Sequence, residues 1–153
     1  MENKTVYWEN FIENEVFEFG DCKVTENEII DFAQKYDPLP HHIDPIHAQK
    51  SPLGVFCASG LHTTAMAHKL ICDNLFCRSK LVAGRGVDKI NMYAPVVPND
   101  KLKVNLFVRK TFPHRLKKDR GWVSFSVEVY RGEAEMVLSF ETTILFLKKP
   151  SSC

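Results

Sequence analysis

The stretch "SGLHTTAMAHKLI", residues 59–71, decides the fold because it predicts one long, deeply packed helix. Apolar and small side chains recur along it at near-helical spacing. They are Leu61, Ala65, Leu70 and Ile71, with Ala58 and Ala67 near them. We therefore expect a helix that begins near Ser59 and buries these side chains against other elements.

After residue 80 the pattern changes to that of β-strands. Four segments are rich in Val, Phe, Ile and Thr, with frequent alternation of apolar and polar residues: 80–93, 102–111, 122–131 and 135–147. Turn-forming residues separate them at 95–100, 113–121 and 131–132. Because the segments are long and their connections short, we predict an antiparallel meander. A buried helix followed by such a sheet is an α+β fold, with the sheet curled around the helix.

Before the long helix, capping residues predict two shorter helices. Thr25 and Glu28 fit a capping box, and the helix that follows should stop just before Pro38, which disfavours the α region for its predecessor. Asp44 and Pro45 fit the cap and first residue of a short helical turn. The aromatic residues near the N-terminus predict a further strand or packing arm: Trp8, Phe11, Phe17 and Phe19.

Length and composition indicate a single globular domain over residues 1–153, with a flexible tail at 148–153. The chain is 44% hydrophobic and 25% charged, and its net charge of +1 predicts binding to neither nucleic acid nor membranes. No apolar run approaches the ~20 residues of a membrane helix, and we expect no signal peptide in the acidic, polar start. Five irregularly spaced cysteines then indicate free thiols in a cytoplasmic protein: Cys22, Cys57, Cys72, Cys77 and Cys153.

The candidate functional region is the polar segment "YDPLPHHIDPIHAQKSPLGVFCASGLHT", residues 36–63. For most of its length it has the pattern of neither a helix nor a strand, and it is rich in histidine and proline. Because proline fixes φ, Pro38 and Pro40 can hold the polar residues around them in a stiff, extended loop.

Three motifs in and after this segment resemble the MaoC-like dehydratase family, which includes the (R)-specific enoyl-CoA hydratases: "FAQKYDPLPHHID", "SPLGVFCASGLHT" and "NMYAPVVPNDKL". The opening "YWENFIENEVFEFG" and "VTENEIIDFA" resemble the family's acyl-dehydratase branch, so the resemblance covers most of residues 7–102. It implies the hot-dog fold, in which a curved antiparallel sheet wraps around a central helix. The periodicity independently predicts the same architecture.

The family's hydratase motif, Asp-x-Asn-Pro-x-His, falls on residues 37–42, and the resemblance implies Asp37 and His42 as the catalytic pair. The glycine whose N–H is an oxyanion donor in the family falls on Gly60. The chain departs from the pattern at Leu39, where the motif has Asn, and at Ser59, where the family commonly has His. The resemblance implies a hydratase or dehydratase of a 2-enoyl or 3-hydroxyacyl thioester, with CoA as the expected carrier and no cofactor.

These residue types suit that reaction. Hydration adds water at C3 and a proton at C2, while negative charge builds on the thioester oxygen. A carboxylate and an imidazole that hold one water can accept and return a proton near neutral pH. Since Gly60 should begin the long helix, its N–H and the helix dipole can face the developing oxyanion.

Six further residues are predicted to bind substrate: Leu39, Pro40, His41, Ser59, His62 and Thr63. His41 occupies an aromatic position of the acyl-dehydratase branch, whereas His62 and Thr63 follow Gly60 on the first turn of the helix. The histidines of the segment and Cys57 also suggest zinc ligands. Their spacing matches no standard Cys/His pattern, so we predict no metal site.

Other interpretations stay open on the residues alone. Asp37 can be a helix cap, His42 a surface histidine and Gly60 a packing residue. The chain can also be a hot-dog acyl-CoA thioesterase, or a non-catalytic acyl-thioester-binding subunit, which Leu39 favours. The basic run at 109–120 is either a solvated loop or a contact for the phosphates of CoA or of a carrier-protein arm. The resemblance implies a homodimer or higher homo-oligomer, which would also cover a sheet edge.

Overall fold

Residues 4–151 are described here by a computed structural model, in which one five-stranded antiparallel sheet accompanies four α-helices. The elements are β1 (Val16–Lys23), α1 (Glu26–Tyr36), α2 (Pro40–Ile43), α3 (Pro45–Lys50), α4 (Gly60–Asn74), β2 (Leu81–Met92), β3 (Lys101–Pro113), β4 (Arg120–Arg131) and β5 (Glu135–Leu147). Short 3-10 turns lie at Trp8–Asn10 and Phe76–Arg78.

The order of strands in the sheet is β1-β3-β4-β5-β2. The predicted meander is therefore correct for β3, β4 and β5, where Leu106 pairs with Val127 and Val127 with Phe140. It is wrong for β2, which pairs with β5 at the far edge of the sheet. The connection after β2 crosses the end of the sheet, because β3 begins on the other side of β4 and β5.

Helix α4 packs against β1, β3 and β5 and forms the centre of the core. Met66, Ala67 and Ile71 are buried there, together with the inward-facing residues of the sheet. The sheet wraps around this helix, so the predicted α+β hot-dog fold is confirmed. The predicted inward face was partly wrong: Leu61 is 51% exposed and Ala65 is also exposed. The buried face of α4 instead begins with His62 and Thr63, because α1 as well as the sheet covers the first turn of the helix.

The predicted helix starts are confirmed, and their caps form. The N–H of Thr25 donates to Oε2 of Glu28 at 3.1 Å, and the N–H of Glu28 donates to Oγ1 of Thr25 at 3.2 Å. At the start of α3, Oδ1 of Asp44 accepts the N–H groups of Ile46 at 2.9 Å and of His47 at 3.2 Å. These local bonds fix α1 and α3 on either side of the candidate catalytic pair.

The segment between α1 and α3 differs from the predicted extended loop, because α2 is a single helical turn. Leu39 is its N-cap and Pro40 its first residue, and the N–H of His42 donates to the carbonyl of Leu39 at 2.9 Å. The fixed φ of proline suits a first helical position, where no N–H is needed. His42 therefore projects from a short, proline-started turn.

The predicted free thiols are confirmed for Cys22, Cys57, Cys72 and Cys77. Cys153 and residue 152, which belong to the predicted tail at 148–153, lie outside the described residues. Within residues 4–151, no helix is both long and apolar enough to cross a membrane.

Candidate active site

Most of the predicted site residues meet in a cleft of about 400 Å³ at the N-terminal end of α4. They are Asp37, His41, His42, Ser59, Gly60 and Thr63. Apolar side chains complete the walls, from the loop after α3, the end of β2, the loop after β2 and the start of β5: Leu53, Met92, Val96, Val137 and Leu138. The cleft thus combines a few polar groups with an apolar lining, as small-molecule sites commonly do.

His42 is buried at the base of this cleft, with 7% of its surface exposed. Its Nδ1 lies 2.7 Å from the carbonyl oxygen of Cys57. Because a carbonyl only accepts hydrogen bonds, Nδ1 must carry the proton. In the neutral ring Nε2 is then an acceptor, and it lies 3.7 Å from Oδ2 of Asp37. The bond to Cys57 therefore fixes both the tautomer and the orientation of the imidazole.

Asp37 reaches the cleft because α1 ends there. Its N–H donates to the carbonyl of Ala33 at 2.9 Å, and its own carbonyl accepts the N–H of Leu39 at 2.7 Å. Both bonds are made by the backbone, which leaves the carboxylate directed toward His42. The distance of 3.7 Å exceeds that of a direct hydrogen bond. One water molecule can bridge two acceptors at this separation.

Gly60 is the first residue of α4, and its N–H has no acceptor within the helix. The Ser59 side chain caps the helix by accepting the N–H of Leu61 at 3.2 Å, so it leaves the N–H of Gly60 available. A Cβ at Gly60 would lie 2.1 Å from Sδ and Cε of Met92. The absence of a side chain thus lets Met92 lie directly against the start of α4.

One short segment, residues 57–60, connects the two halves of the site. The carbonyl of Cys57 holds His42, and the N–H of Ala58 donates to the carbonyl of Val96 at 2.8 Å. Gly60 follows two residues later. Any displacement of this segment would move the imidazole and the candidate oxyanion donor together.

Three predicted substrate-binding residues do not line the cleft: Leu39, Pro40 and His62. Leu39 is 47% exposed, and its side chain stands at the N-cap of α2 without a capping hydrogen bond. The position of the family's motif Asn is therefore a helix cap in this fold. Pro40 is exposed at the next position.

His62 faces α1, away from the cleft. Its ring stacks on Phe32, with centroids 4.6 Å apart and an angle of 8° between the planes. Its buried Nδ1 has no hydrogen-bond partner among residues 4–151. Burial lowers the pKa of His62, and the nearby carboxylate of Glu28 opposes this only in part. His62 is thus a packed, neutral histidine at ordinary pH.

His41 and Cys57 complete the titratable groups around His42. The rings of His41 and His42 are 4.1 Å apart, and partial burial together with His42 lowers the pKa of His41. Burial raises the pKa of the Cys57 thiol, so the thiol stays protonated near neutral pH. Among the described residues, no group of three or more His, Cys, Asp or Glu side chains is arranged to hold a metal ion.

The sequence reasoning missed the wall that β2 and its following loop provide, where Met92, Tyr93 and Val96 line the cleft. The signal was present in "NMYAPVVPNDKL", which carried the resemblance but no assigned role.

The basic run lies on the β3–β4 hairpin, where Arg120 pairs with Leu147 at the end of β5. The cleft lies at the start of β5, so within one chain the two are at opposite ends of that strand.

Both the sequence and the fold match known proteins. The sequence profile of the MaoC-like domain matches residues 10–128. The chain belongs to the MaoC-like dehydratase family. YdeM, an uncharacterized protein of Bacillus subtilis strain 168, is 27% identical to this MaoC-like protein over 137 residues, which are 90% of this chain and 96% of YdeM.

Two solved structures are similar along nearly the whole chain. The MaoC-like dehydratase from Rhodospirillum rubrum has a TM-score of 0.85 and 25% identity, with 95% of this chain and 99% of that chain covered. The R-hydratase PhaJ1 from Pseudomonas aeruginosa has a TM-score of 0.76 and 21% identity, with 95% and 88% covered. At 21% identity, the likeness to the R-hydratase shows the fold alone.

Proposed function

We propose that this MaoC-like protein hydrates 2-enoyl thioesters and dehydrates 3-hydroxyacyl thioesters, with CoA as the carrier. The observation that carries the proposal is the meeting of three groups in one cleft: the Asp37 carboxylate, Nε2 of His42 and the N–H of Gly60. The names of the two similar structures, a dehydratase and an R-hydratase, support the same class of reaction.

In the proposed reaction, Asp37 and Nε2 of His42 hold one water between them. The Asp37–His42 pair removes a proton from this water as the water oxygen bonds to C3 of the enoyl group. The electron pair of the C2–C3 double bond moves toward the thioester carbonyl, which becomes an enolate. The abstracted proton then passes to C2 as the carbonyl re-forms, and dehydration is the same sequence in reverse.

The N–H of Gly60 donates to the thioester oxygen as negative charge develops there. Such a donor, fixed before the reaction begins, is worth about 3–4 kcal/mol of transition-state stabilisation in other enzymes. The dipole of α4 acts in the same direction, since the positive end of the helix faces the cleft. The apolar walls formed by Leu53, Val137 and Leu138 suit the acyl chain.

The test follows the absorbance of crotonyl-CoA and of a longer 2-enoyl-CoA in their conjugated band, with a thiol reagent present in a parallel reaction. We expect the absorbance to fall without thiol release, and we expect Asp37→Asn to slow this change by about 100-fold or more. Thiol release would identify a thioesterase. Binding of the thioester without turnover would identify the non-catalytic subunit, and either result overturns the proposal.

We also propose that two copies pair through β2. This strand lies at the edge of the sheet, and nearly all of its residues are exposed. Its exposed large apolar residues continue to the mouth of the cleft: Leu81, Val82, Val87, Ile90, Met92 and Tyr93. An edge strand with unpaired backbone groups and an apolar surface tends to pair with another chain. The simplest partner is a second copy of the same chain.

Sedimentation velocity at micromolar concentration tests the assembly. We expect a dimer, and we expect Val87→Lys to dissociate it because the charge lies in the middle of β2. Val16→Lys, on the opposite edge strand β1, is the matched control and should leave the dimer intact. A wild-type monomer would overturn this arrangement.

A further inference from the structure

We infer that Arg131 is a positioning residue for the active site, because it anchors the loop that holds the start of α4 in place. Its functional consequence rests on the proposed hydratase activity. Arg131 is the last residue of β4 and touches none of the three groups assigned to the reaction. It acts through backbone hydrogen bonds that can be followed atom by atom.

The guanidinium of Arg131 donates hydrogen bonds to acceptors on three residues. Its Nη1 donates to the carbonyl of Pro95 at 2.8 Å and to Oδ2 of Asp100 at 3.0 Å. Its Nε donates to Oε2 of Glu135 at 2.9 Å, and Nη2 donates to the other oxygen of the same carboxylate. The side chains of Arg131 and Asp100 are only 24% and 14% exposed, so this network is partly withdrawn from water.

The loop between β2 and β3 is thereby fixed at both ends. Oδ2 of Asp100, besides accepting from Arg131, accepts the N–H of Val97 at 2.9 Å. The neighbouring backbone is hydrogen-bonded to Val24, which lies between β1 and α1: the N–H of Asn99 donates to the carbonyl of Val24 at 2.7 Å, and the N–H of Val24 donates to the carbonyl of Asp100 at 2.9 Å. Arg131 closes this set of bonds at Pro95, on the side of the cleft.

The fixed loop in turn holds the segment that precedes α4. Val96, which directly follows Pro95, is 2% exposed, and its carbonyl accepts the N–H of Ala58 at 2.8 Å. The adjacent carbonyl of Cys57 accepts from His42, and Gly60 lies two residues beyond Ala58. A shift of the loop would therefore displace both the imidazole of His42 and the N–H of Gly60.

Arginine suits this place better than lysine. The planar guanidinium can donate to a carbonyl and two carboxylates at once, whereas an ammonium is a single point of charge on a flexible stem. The hydrogen bonds to Glu135 and Asp100 raise the pKa of the guanidinium, so it keeps its charge. Removal of Arg131 would leave the Pro95 carbonyl without its donor and Asp100 without its counter-ion.

The experiment compares Arg131→Ala and Arg131→Lys with Arg120→Ala. Arg120 begins the same strand and makes a two-pronged pair with Asp119, but it lies at the end of β4 away from the cleft. With crotonyl-CoA we expect Arg131→Ala to lower kcat about 10- to 100-fold, because small misplacements of reacting groups have effects of that size. KM should change little in Arg131→Ala, kcat should be intermediate in Arg131→Lys, and Arg120→Ala should keep the kcat of wild type.

A second measurement does not depend on activity. In ¹⁵N NMR spectra we expect Arg131→Ala to shift the ring nitrogens of His42 and the amides of Ala58 and Gly60, and Arg120→Ala to leave them in place. If wild type hydrates no thioester but these signals move, the proposed function fails and the positioning role stands. If they do not move, or if kcat is unchanged, the inference is overturned. Should Arg131→Ala not fold, Arg131→Lys and Asp100→Asn decide by the same criteria.

Discussion

His42 and His62 lie on two sides of the first turn of α4, and each is 7% exposed. Nδ1 of His42 donates to a carbonyl and its Nε2 faces the cleft, whereas Nδ1 of His62 has no partner among residues 4–151 and its ring stacks on Phe32. The difference shows that burial alone does not identify a histidine that can take part in acid–base chemistry. What distinguishes His42 is a fixed tautomer together with a second nitrogen open to a ligand.

The largest effect is expected from removal of Nε2 of His42. In His42→Asn the amide N–H can still donate to the carbonyl of Cys57, but the acceptor that faces Asp37 is lost. We expect kcat for enoyl-CoA hydration to fall about 100- to 10,000-fold, the usual contribution of a general acid-base group. The melting temperature should stay close to that of wild type, as circular dichroism can check.

The same comparison predicts coupling between His42 and Asp37. If they hold one water as a unit, Asp37→Asn and the double variant with His42→Asn should lose similar, non-additive amounts of kcat. Additive losses would mean that the two side chains act separately, and would remove the basis for treating His42 differently from His62.

A smaller loss is expected at Gly60, on the cleft side of the helix start. Gly60→Ala keeps the N–H but brings a methyl group onto Met92. We expect kcat to fall on the order of tenfold to a hundredfold, since the donor and its surroundings shift. Gly60→Ala combined with Met92→Ala should recover much of the activity. Failure of this relief would show that the methyl group itself, and not Met92, blocks the thioester.

For His62 we expect an effect on stability and little on activity. Because burial lowers its pKa, the unfolded chain binds this proton more readily than the folded chain does. The free energy of unfolding is therefore highest above the pKa of about 6.5 that the histidine has in the unfolded chain. It falls as the pH decreases below that value. His62→Phe should stack on Phe32 and flatten this decline between about pH 5 and 7, above the range where carboxylates titrate.

Denaturant unfolding of wild type and His62→Phe at several pH values checks this. Parallel pH curves for the two proteins would mean that His62 is charged or solvated in the folded state. A loss of enoyl-CoA hydration in His62→Phe comparable to that of His42→Asn would break the distinction between the two histidines.

The smallest effect concerns Leu39, the N-cap of the turn that carries His42. Asn at this position can accept an N–H of α2, and such caps typically stabilise a protein by about 1 kcal/mol. We expect Leu39→Asn to raise the free energy of unfolding by roughly this amount and to leave kcat/KM for crotonyl-CoA within about threefold. A large gain in activity would instead indicate that Leu39 had disabled a hydratase.

Local signals explain what the sequence could predict. The starts of α1 and α3 follow from the caps at Thr25 and Asp44, which lie within three residues of their partners. The motifs that contain Asp37, His42 and Gly60 also follow one another along the chain, and the family resemblance assigned them a shared site. None of these predictions required knowledge of distant contacts.

The missed features depend on residues far apart in sequence. The pairing of β2 with β5 leaves no trace in either strand's own alternation. The buried face of α4 was misjudged because α1 covers His62, so that Leu61 is left exposed. Likewise Arg131 looked like a turn residue, since its partner Pro95 lies thirty-six positions earlier in the chain.

The hydrogen bond between His42 and Cys57 also closes a loop of the chain that contains α3, and part of this loop, including Leu53, is exposed. Residues 43–56 form this loop, and the hydrogen bond joins its two ends. The entropic cost of closing such a loop grows only slowly with its length, by about 0.6 kcal/mol for each doubling. Leu53 lies in this loop and lines the cleft. Under the proposed function, a change of length in the exposed part of this loop should alter which acyl groups fit in the cleft, while Asp37 and Gly60 on either side keep their positions.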